Sequence, residues 1–321
     1  MKLYINENTD PYFNLASEEY LLEHEDEPVF MLWRNGPSVI IGRNQNAYSE
    51  IDRGFTESHG IAVVRRLTGG GAVFHDLGNI NFTFTEKREN CPGLDFGRFC
   101  EPIIKALRRL GVPAELSGRN DMTADGRKFS GNAQCFYKDK VMHHGTILFS
   151  ADTAEMTGAL RVDPEKLSGK GIKSVRSRVC NLSEYLSGMD VTRLKEYLES
   201  SVPSERTEFS AAQIAGIEEL KRTKYATWEW NFGRSHEFTA HVKRRFPFGS
   251  VTVSYTADAG RLTEAEFSGD FFGILPPGVI EGELVGRRLV REELIPALSR
   301  IGERISGAEP GQIADMFLSG E

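Results

Sequence analysis

Three consecutive glycines follow a pair of arginines in the stretch RRLTGGGAVFHDLGN, which covers residues 65–79. Adjacent glycines lose conformational entropy on folding without adding packing, so they are expected where a backbone approaches a ligand closely or adopts positive φ. Exposed backbone N–H groups beside cationic side chains suit an anion such as a phosphate or a carboxylate. A solvated surface loop explains the glycines equally well, so the other motifs must decide between the two interpretations.

Lys128 is a second candidate, in the stretch GRNDMTADGRKFSGNA at residues 118–133. The dipeptide Asp125-Gly126 just before it predicts a tight hairpin turn between two strands. A lysine on a strand usually points to solvent, whereas one that points inward is a costly buried cation that needs an anionic partner. Asp121 on the facing strand could be this partner, or its carboxylate could hold a metal ion.

Two adjacent histidines, His143 and His144, lie on a predicted strand and therefore face opposite sides of it. One of them could line a pocket while the other packs or is solvated, but regular strand geometry does not let both bind one metal ion. No third ligand has a convincing spacing, so we exclude a zinc site.

A basic segment at residues 170–181 carries four cations. Such a segment is usually a solvated surface, but here it adds to the cations of the first two motifs. If all of these groups converge, the site suits a polyphosphate and would stabilise charge that develops during phosphoryl or nucleotidyl transfer. The four cations are Lys170, Lys173, Arg176 and Arg178.

Composition limits the class of partner. The chain has 46 acidic and 39 basic residues, a net charge of −7, which argues against general binding to nucleic acid or to an anionic membrane. No run of about 18 apolar residues predicts a membrane span, and the N-terminus lacks the apolar core of a signal peptide. The four cysteines have no metal-binding spacing, so we expect reduced thiols in a cytoplasmic protein.

The elements that must position these residues follow from hydrophobic spacing and turn signals. Strands are predicted at 29–33, 38–41, 61–65 and 80–85, and an antiparallel meander around the Asp125-Gly126 turn. The clearest helix covers residues 95–111, where apolar residues recur at three- and four-residue spacing. Residues 246–255 are predicted as one strand and 292–306 as a helix, within a small C-terminal domain. The length of 321 residues agrees with two domains, which we place at 1–238 and 239–321.

Several familiar sites are excluded. The chain has no GxxxxGK[ST] phosphate loop, its glycines lack the spaced GxGxxG of a dinucleotide site, and it has no GxSxG nucleophile motif.

Four motifs in the same order make the chain similar to the lipoate–protein ligase A family. They are RRLTGGGAVFHDLGNINFTF, GRNDMTADGRKFSGNA, HHGTILFSAD and KGIKSVRSRVCNL. This resemblance covers residues 1 to about 235, and the segment from KYATWEWNFG onward resembles the family's accessory domain. It implies an α+β fold of the biotin/lipoate ligase type, with a large mixed-sheet domain and a small α+β C-terminal domain.

The resemblance also implies a two-step reaction. Lipoate attacks the α-phosphate of ATP, with Mg²⁺ present, and the lipoyl-adenylate then acylates a specific lysine of a carrier domain. The implied carriers are E2 subunits of 2-oxoacid dehydrogenases and the glycine cleavage H protein. A fixed cation near both anions would offset the repulsion between a carboxylate and a triphosphate, and a closing basic loop would protect the adenylate from water.

Site roles carry over onto matching positions. Lys128 matches the catalytic lysine that contacts both the acyl group and the α-phosphate, and Asp121 is a candidate Mg²⁺ ligand. The positions that match ATP or adenylate contacts are Arg66, Gly71, Ala72, Val73, Phe74, Asn79, Lys128, Lys173 and Arg176. Those that match lipoate contacts are Arg65, Gly70, Lys128, Ala133 and His144.

Three alternatives stay open at this point. The first is an ATP-independent octanoyl or lipoyl transferase, for which Cys180 is the candidate nucleophile, although no base is tied to it in the sequence. The second is a non-enzymatic lipoate or nucleotide-binding regulator, against which the intact lysine and glycine loop argue. The third is biotin ligation, whose family loop has a different composition. The ligase interpretation makes a geometric prediction, namely that Lys128 lies near the loop at 69–74.

Overall fold

The structure is a computed structural model that describes residues 1–160, 179–232, 240–258 and 260–319. Lys170, Lys173, Arg176 and Arg178 lie outside the described residues, and so does the prediction that they close over an adenylate. In the described part of the chain, no helix combines the length and the apolar character that a membrane span requires. The α+β class predicted from sequence is confirmed, because helices pack on a large mixed sheet and a separate group of helices packs on a second sheet.

Among the described residues the large sheet has eight strands, and four of them contribute residues to the cavity described below. The two strands of this sheet that come first in the chain run parallel to each other. From the second of them to the far edge of the sheet, every pair of neighbouring strands is antiparallel. In spatial order the strands are β11 (Glu205–Thr207), β1 (Lys2–Ile5), β2 (Val29–Trp33), β6 (Asn79–Lys87), β10 (Lys140–Leu148), β9 (Arg127–Tyr137), β8 (Asp121–Ala124) and β7 (Ala114–Ser117).

Helices cover both faces of this sheet. Alternation along β2 sends Phe30 and Leu32 to one face, against α4, and Met31 and Trp33 to the other, against α1. The α-helices that the structure describes in this part are α1 (Pro11–His24), α2 (Ala47–Glu50), α3 (Arg53–Ser58), α4 (Phe96–Arg109), α5 (Thr153–Ala159), α6 (Val191–Ser201), α7 (Ala211–Leu220) and α8 (Trp228–Asn231).

The chain begins α1 and α4 in the same way. The side chain of Asp10 accepts a hydrogen bond from Tyr12 N, and that of Asp95 accepts one from Arg98 N. These caps satisfy backbone donors that have no partner within the helix. The predicted helix at 95–111 is confirmed, and its apolar stripe is buried against the sheet.

A small sheet carries the glycine loop. In it β3 (Ser38–Ile41) lies between β4 (Ala62–Arg65), which is parallel to it, and β5 (Val73–His75), which is antiparallel. The loop connects β4 to β5, and both of these strands pair with β3, so both ends of the loop are held in the small sheet. The predicted strands at 38–41 and 61–65 are confirmed.

The hairpin before Lys128 is also confirmed. Asp125 has φ 49° and Gly126 has φ 73°, so both turn residues are in the left-handed region that a two-residue hairpin of this kind requires. A second two-residue turn follows β9, and its first residue, Lys138, has φ 52°. The two turns place β8, β9 and β10 side by side.

A second core lies in the C-terminal part of the chain. Its antiparallel sheet, β12 (Ala240–Phe246), β13 (Gly249–Asp258) and β14 (Arg261–Gly269), packs against four helices. These are α9 (Val279–Leu284), α10 (Arg291–Ala297), α11 (Ile301–Arg304) and α12 (Pro310–Leu318).

Two sequence predictions in this part are wrong. Residues 246–255 are not one strand, because Pro247 cannot donate to a ladder and Gly249 has φ 135°, so the chain reverses between β12 and β13. Residues 292–306 form two short helices rather than one, and the first of them ends just after Pro296, which lacks a backbone N–H.

Candidate active site

A cavity of about 130 Å³ lies between the large and small sheets. Lys128 and the glycine loop both line it, which confirms the geometric prediction made from sequence. The predicted site residues that line it are Arg66, Gly70, Gly71, Ala72, Val73, Lys128, Ala133 and His144. The other lining residues, to which the sequence assigned no role, are Leu15, Trp33, Ile40, His75, Asn81, Asn120, Gly131, Asn132, Gly145 and Thr146.

Lys128 reaches the cavity from β9. Its Nζ lies 2.8 Å from Asp121 Oδ1 on the neighbouring strand, so Asp121 is the anionic partner that the sequence suggested. The side chains are 40% and 37% exposed, and an ion pair this open to solvent contributes at most about 1 kcal/mol. A bound anion could therefore replace Asp121 as the partner of Lys128 at small cost. Gly131 leaves the room for Nζ, since a Cβ there would lie 3.2 Å from it.

Arg66 shapes the glycine loop from within. Its guanidinium is buried and donates to the carbonyl oxygens of Gly69 at 2.7 Å, Gly71 at 2.8 Å and Ile40 at 3.0 Å. Burial lowers the pKa of Arg66 to about 10, which leaves it charged at neutral pH. The loop carbonyls are thus turned toward this cation.

The glycines of the loop have different structural reasons. Gly70 has φ +90°, where a side chain would be strained, as the sequence predicted for at least part of the run. A Cβ on Gly69 would lie 2.4 Å from the carbonyl oxygen of Phe271, which belongs to the C-terminal part of the chain. Gly70 N also donates to that oxygen at 3.4 Å. The second core therefore packs directly on the glycine loop.

His144 belongs to a buried hydrogen-bond chain. Its Nδ1 lies 2.8 Å from Glu18 Oε1, and its Nε2 lies 2.7 Å from Thr68 Oγ1. Thr68 Oγ1 in turn accepts from Arg66 Nε at 2.9 Å, so its own hydrogen is available to His144. These hydrogen bonds link α1 to the glycine loop through the imidazole of His144, which lines the cavity. His143 faces the other side, packed among Phe82, Phe96 and Phe99, as predicted for adjacent residues on a strand.

Sequence reasoning missed Glu18, although a signal was present. Glu18 lies three residues after Leu15 and four before Leu22, so helical spacing puts it on the buried side of α1 with both leucines. A carboxylate on a buried stripe needs a partner, and here it accepts from Thr83 Oγ1 at 2.6 Å in addition to its contact with His144.

Some predicted site residues lie away from the cavity. Arg65 is buried and donates to the carbonyl oxygens of Gly42, Arg43, Gln45, Trp230 and Asn231, so it holds backbone segments together. Phe74 packs in the core of the small sheet. Asn79 is buried and does not line the cavity, and its Nδ2 lies 2.8 Å from Asn81 Oδ1.

Cys180 does not line the cavity. Its thiol is buried, donates to Arg127 O at 3.5 Å, and has a pKa raised by burial. A cysteine nucleophile needs a stabilised thiolate and access to substrate, and this site offers neither. The backbone N–H of Cys180 donates to Lys128 O at 2.9 Å, so this residue supports the strand that carries the lysine.

The described residues contain no group of three or more His, Cys, Asp or Glu side chains that could hold a metal ion. Asp121 contributes a single carboxylate beside the cavity. A single carboxylate fits Mg²⁺, which commonly binds through one or two carboxylates together with waters and substrate phosphates.

Two family descriptions match the chain in sequence. Residues 10–202 match the lipoyl protein ligase A/B catalytic domain, and residues 235–317 match the bacterial lipoate protein ligase C-terminus. The chain is 40% identical to lipoate-protein ligase LplJ of Bacillus subtilis, over 92% of this chain and 93% of that protein.

Solved structures agree with these matches. P. falciparum LipL1 in complex with lipoate is 25% identical with a TM-score of 0.78, covering 93% of this chain and 94% of that one. A lipoate-protein ligase A bound with ATP is 27% identical with a TM-score of 0.61, covering 72% and 98%. A bi-partite lipoate protein ligase from Thermoplasma acidophilum, described with its E2 lipoyl domain, is 27% identical with a TM-score of 0.64, covering 74% and 98%.

Proposed function

This chain belongs to the lipoate–protein ligase family, and from that membership we propose that it ligates lipoate to a carrier protein at the expense of ATP. In the first step the lipoate carboxylate attacks the α-phosphate of ATP, which forms lipoyl-AMP and releases pyrophosphate. In the second step the ε-amino group of a carrier lysine attacks the acyl carbonyl, which forms an amide and releases AMP.

The observation that carries this proposal is the placement of Lys128 opposite the glycine loop in one cavity. The first step brings a carboxylate to a triphosphate, and the two repel each other. A cation fixed between the two anions offsets that repulsion and later polarises the acyl carbonyl. Lys128 suits this role because its partner, Asp121, is easily replaced by a substrate anion.

The lining divides the cavity by polarity. Leu15, Trp33 and Ile40 offer apolar surface that suits the aliphatic chain of lipoate, whereas Lys128 and the loop glycines suit its carboxylate and the phosphates. We assign the ATP or adenylate contacts to Gly71, Ala72 and Val73 in this arrangement, and lipoate contacts to Gly70, Ala133 and His144.

Mg²⁺ would be held by phosphate oxygens of ATP, with Asp121 as the candidate protein ligand. When bound, it would neutralise part of the phosphate charge. The carriers we propose are E2 lipoyl domains of 2-oxoacid dehydrogenases and the glycine cleavage H protein, and the location is the cytoplasm. We also propose residues 1–238 as the catalytic domain and 239–321 as the accessory domain.

The proposal is tested by incubating the purified chain with ATP, Mg²⁺, lipoate and an apo E2 lipoyl domain or apo H protein, followed by intact mass spectrometry of the carrier. We expect a gain of one lipoyl group that needs both ATP and lipoate, and pyrophosphate release that needs lipoate. Modification of the carrier by an acylated donor protein without ATP would instead identify a transferase, and no modification in any arm would contradict the ligase.

A further inference from the structure

His75 is a buried imidazole with one ring nitrogen that the reaction outlined above does not use. It lies on β5, at the end of the glycine loop, and lines the cavity with only 3% of its surface exposed. Its Nδ1 lies 3.1 Å from Asn35 Nδ2, on the side away from the cavity, since Asn35 does not line it. Its Nε2 has no hydrogen-bond partner among the residues that the structure describes.

The hydrogen bonds behind His75 determine which nitrogen carries the proton. Asn14 Nδ2 lies 2.9 Å from Asn8 O and 3.0 Å from Arg34 O, so this nitrogen must be a donor. It also lies 2.9 Å from Asn35, which must therefore present its oxygen there and its amide nitrogen to His75. An amide nitrogen only donates, so Nδ1 of the imidazole accepts and the hydrogen sits on Nε2.

The imidazole is also held neutral. Desolvation, together with the smaller effects of the charges of Arg66 and His144, lowers the pKa of His75 to about 3. At neutral pH the ring therefore offers the cavity a single N–H donor and no charge. A buried donor without an acceptor forfeits its hydration, so native proteins rarely leave one unmatched.

Asn81 repeats the pattern on the opposite wall. It lies on β6, is 1% exposed and lines the same cavity, and one atom of its amide group has no partner among the described residues. Across the ladder it faces Thr146, whose hydroxyl accepts from Gly131 N beside Lys128. The unmatched donor of His75, the incompletely bonded amide of Asn81 and the cations Arg66 and Lys128 thus surround one space, which suits an anionic oxygen.

We propose that His75 donates a hydrogen bond from Nε2 to an anionic oxygen of the bound substrate, and that Asn35 is a positioning residue that fixes the tautomer needed for this. The oxygen belongs either to a phosphate of the nucleotide or to the carboxylate of the acyl substrate. The inference rests on the proposed function for the identity of these two ligands, but the tautomer and the vacant donor are properties of the protein itself.

The direct test is ¹⁵N NMR of the full chain labelled at histidine, recorded without ligand, with ATP alone and with lipoate alone. Without ligand, we expect a pyrrole-type Nε2 and a pyridine-type Nδ1 for His75, assigned by its absence in His75→Gln. Binding should move the Nε2–H proton downfield in the arm that supplies the acceptor, which distinguishes phosphate from carboxylate. A hydrogen on Nδ1, or a signal that moves in neither arm although the ligand binds, overturns the proposal.

Kinetics of adenylate formation provide the second test. His75→Leu removes the donor and should lower kcat/KM for the substrate that supplies the oxygen by about 10- to 100-fold. His75→Gln keeps an N–H donor and should recover most of that loss. Asn35→Leu should resemble His75→Leu, because the tautomer is no longer fixed. His59→Gln is the matched control, since His59 is exposed at the end of α3. Wild-type parameters in His75→Leu overturn the inference, whereas a wild-type chain that forms no adenylate overturns the proposed function instead.

Discussion

The carbonyl oxygen of Phe271 lies 2.4 Å from the position that a Cβ at Gly69 would occupy, so the C-terminal part of the chain touches the active-site loop without room for a methyl group. The ring of the next residue, Phe272, packs against Gly70. The guanidinium of Arg119 lies over this ring, with Cζ 4.5 Å from the ring centroid. The conformation of the glycine loop and the position of the second core therefore depend on each other through these contacts.

Gly69→Ala should disturb this contact. The added methyl group overlaps backbone rather than a flexible side chain, so either the loop or residues 270–272 must move, at a cost of about 1–3 kcal/mol. We expect a lower midpoint of thermal unfolding and slower adenylate formation. Gly93→Ala is the control, because a Cβ there has nothing within 4 Å. Equal stability and activity in the two variants would contradict the packing described.

Lys128→Ala should reduce the rate of lipoyl-AMP formation by about 10²–10³, the usual effect of removing one group that stabilises developing charge. Thermal stability should change little, because the ion pair with Asp121 is half exposed. Pyrophosphate release measures the rate, and Lys105→Ala, on the exposed side of α4, controls for loss of a surface charge. A Lys128→Ala variant that forms adenylate at the normal rate would remove this lysine from the chemistry.

Glu18→Gln should weaken both folding and lipoate binding. Glu18 Oε1 accepts from Thr83 and contacts His144 in a buried site; a glutamine keeps this acceptor but loses the charge that strengthens both bonds, and it buries an amide NH2 where Oε2 has no partner among the described residues. We expect the free energy of unfolding to fall by about 1–3 kcal/mol, measured by urea titration, and lipoate affinity to fall in calorimetry. Glu101→Gln, an exposed carboxylate on α4, should match the wild type in both.

Acid should destabilise the protein through its buried histidines. The folded-state pKa is lowered to about 3 for His75 and is also lowered for His143, in both cases mainly by desolvation, whereas an unfolded histidine has a pKa of about 6.5. Between these values the unfolded chain binds protons that the folded chain does not. For His75 the stabilising contribution is thus fully present above about pH 6.5 and is lost as the pH falls toward 3, by up to about 1.4 kcal/mol per pH unit, and His143 adds a contribution that is lost in the same direction.

Urea titrations from pH 7 to pH 5 measure this slope. His143→Gln should reduce it, because one buried titrating group is removed, whereas replacement of the exposed His59 should not. A slope that is the same in His143→Gln as in the wild type would show that other groups dominate the acid response.

Cys180→Ser should retain ATP-dependent ligation at the wild-type rate, and the native thiol should react slowly with iodoacetamide because burial raises its pKa and blocks access. Transfer that needs no ATP and disappears in Cys180→Ser would favour a transferase. The alkylation rate in urea provides the reference for an accessible thiol.

Local chemistry explains what the sequence predicted well. The Asp125-Gly126 turn needs two residues that tolerate positive φ, and the helix caps need an oxygen at one position, so a few adjacent letters are sufficient. The predicted approach of Lys128 to the glycine loop also holds, and so does the family assignment, which the matches over both parts of the chain confirm.

Tertiary contacts explain what the sequence did not predict. Arg65 and Arg66 are adjacent and chemically equal. Arg66 nevertheless lines the cavity, whereas Arg65 holds together backbone segments that meet only in the folded protein. The partners of His144 come from residues 18 and 68, far apart in the chain, and the unmatched nitrogen of His75 is visible only once its neighbours are known. The steric reason for Gly69 lies about 200 residues further along the chain, at Phe271.

The contact between Gly69 and Phe271 has a consequence for evolution and for engineering. In a chimera that joins the first 238 residues of this chain to the C-terminal part of a relative, the relative's backbone at 270–272 would have to pack against the glycine loop of this chain. Compatibility would depend on that short segment rather than on overall identity. Sequence pairs that differ here should exchange their two parts poorly, and transplanting residues 269–273 together with the glycine loop should restore the exchange.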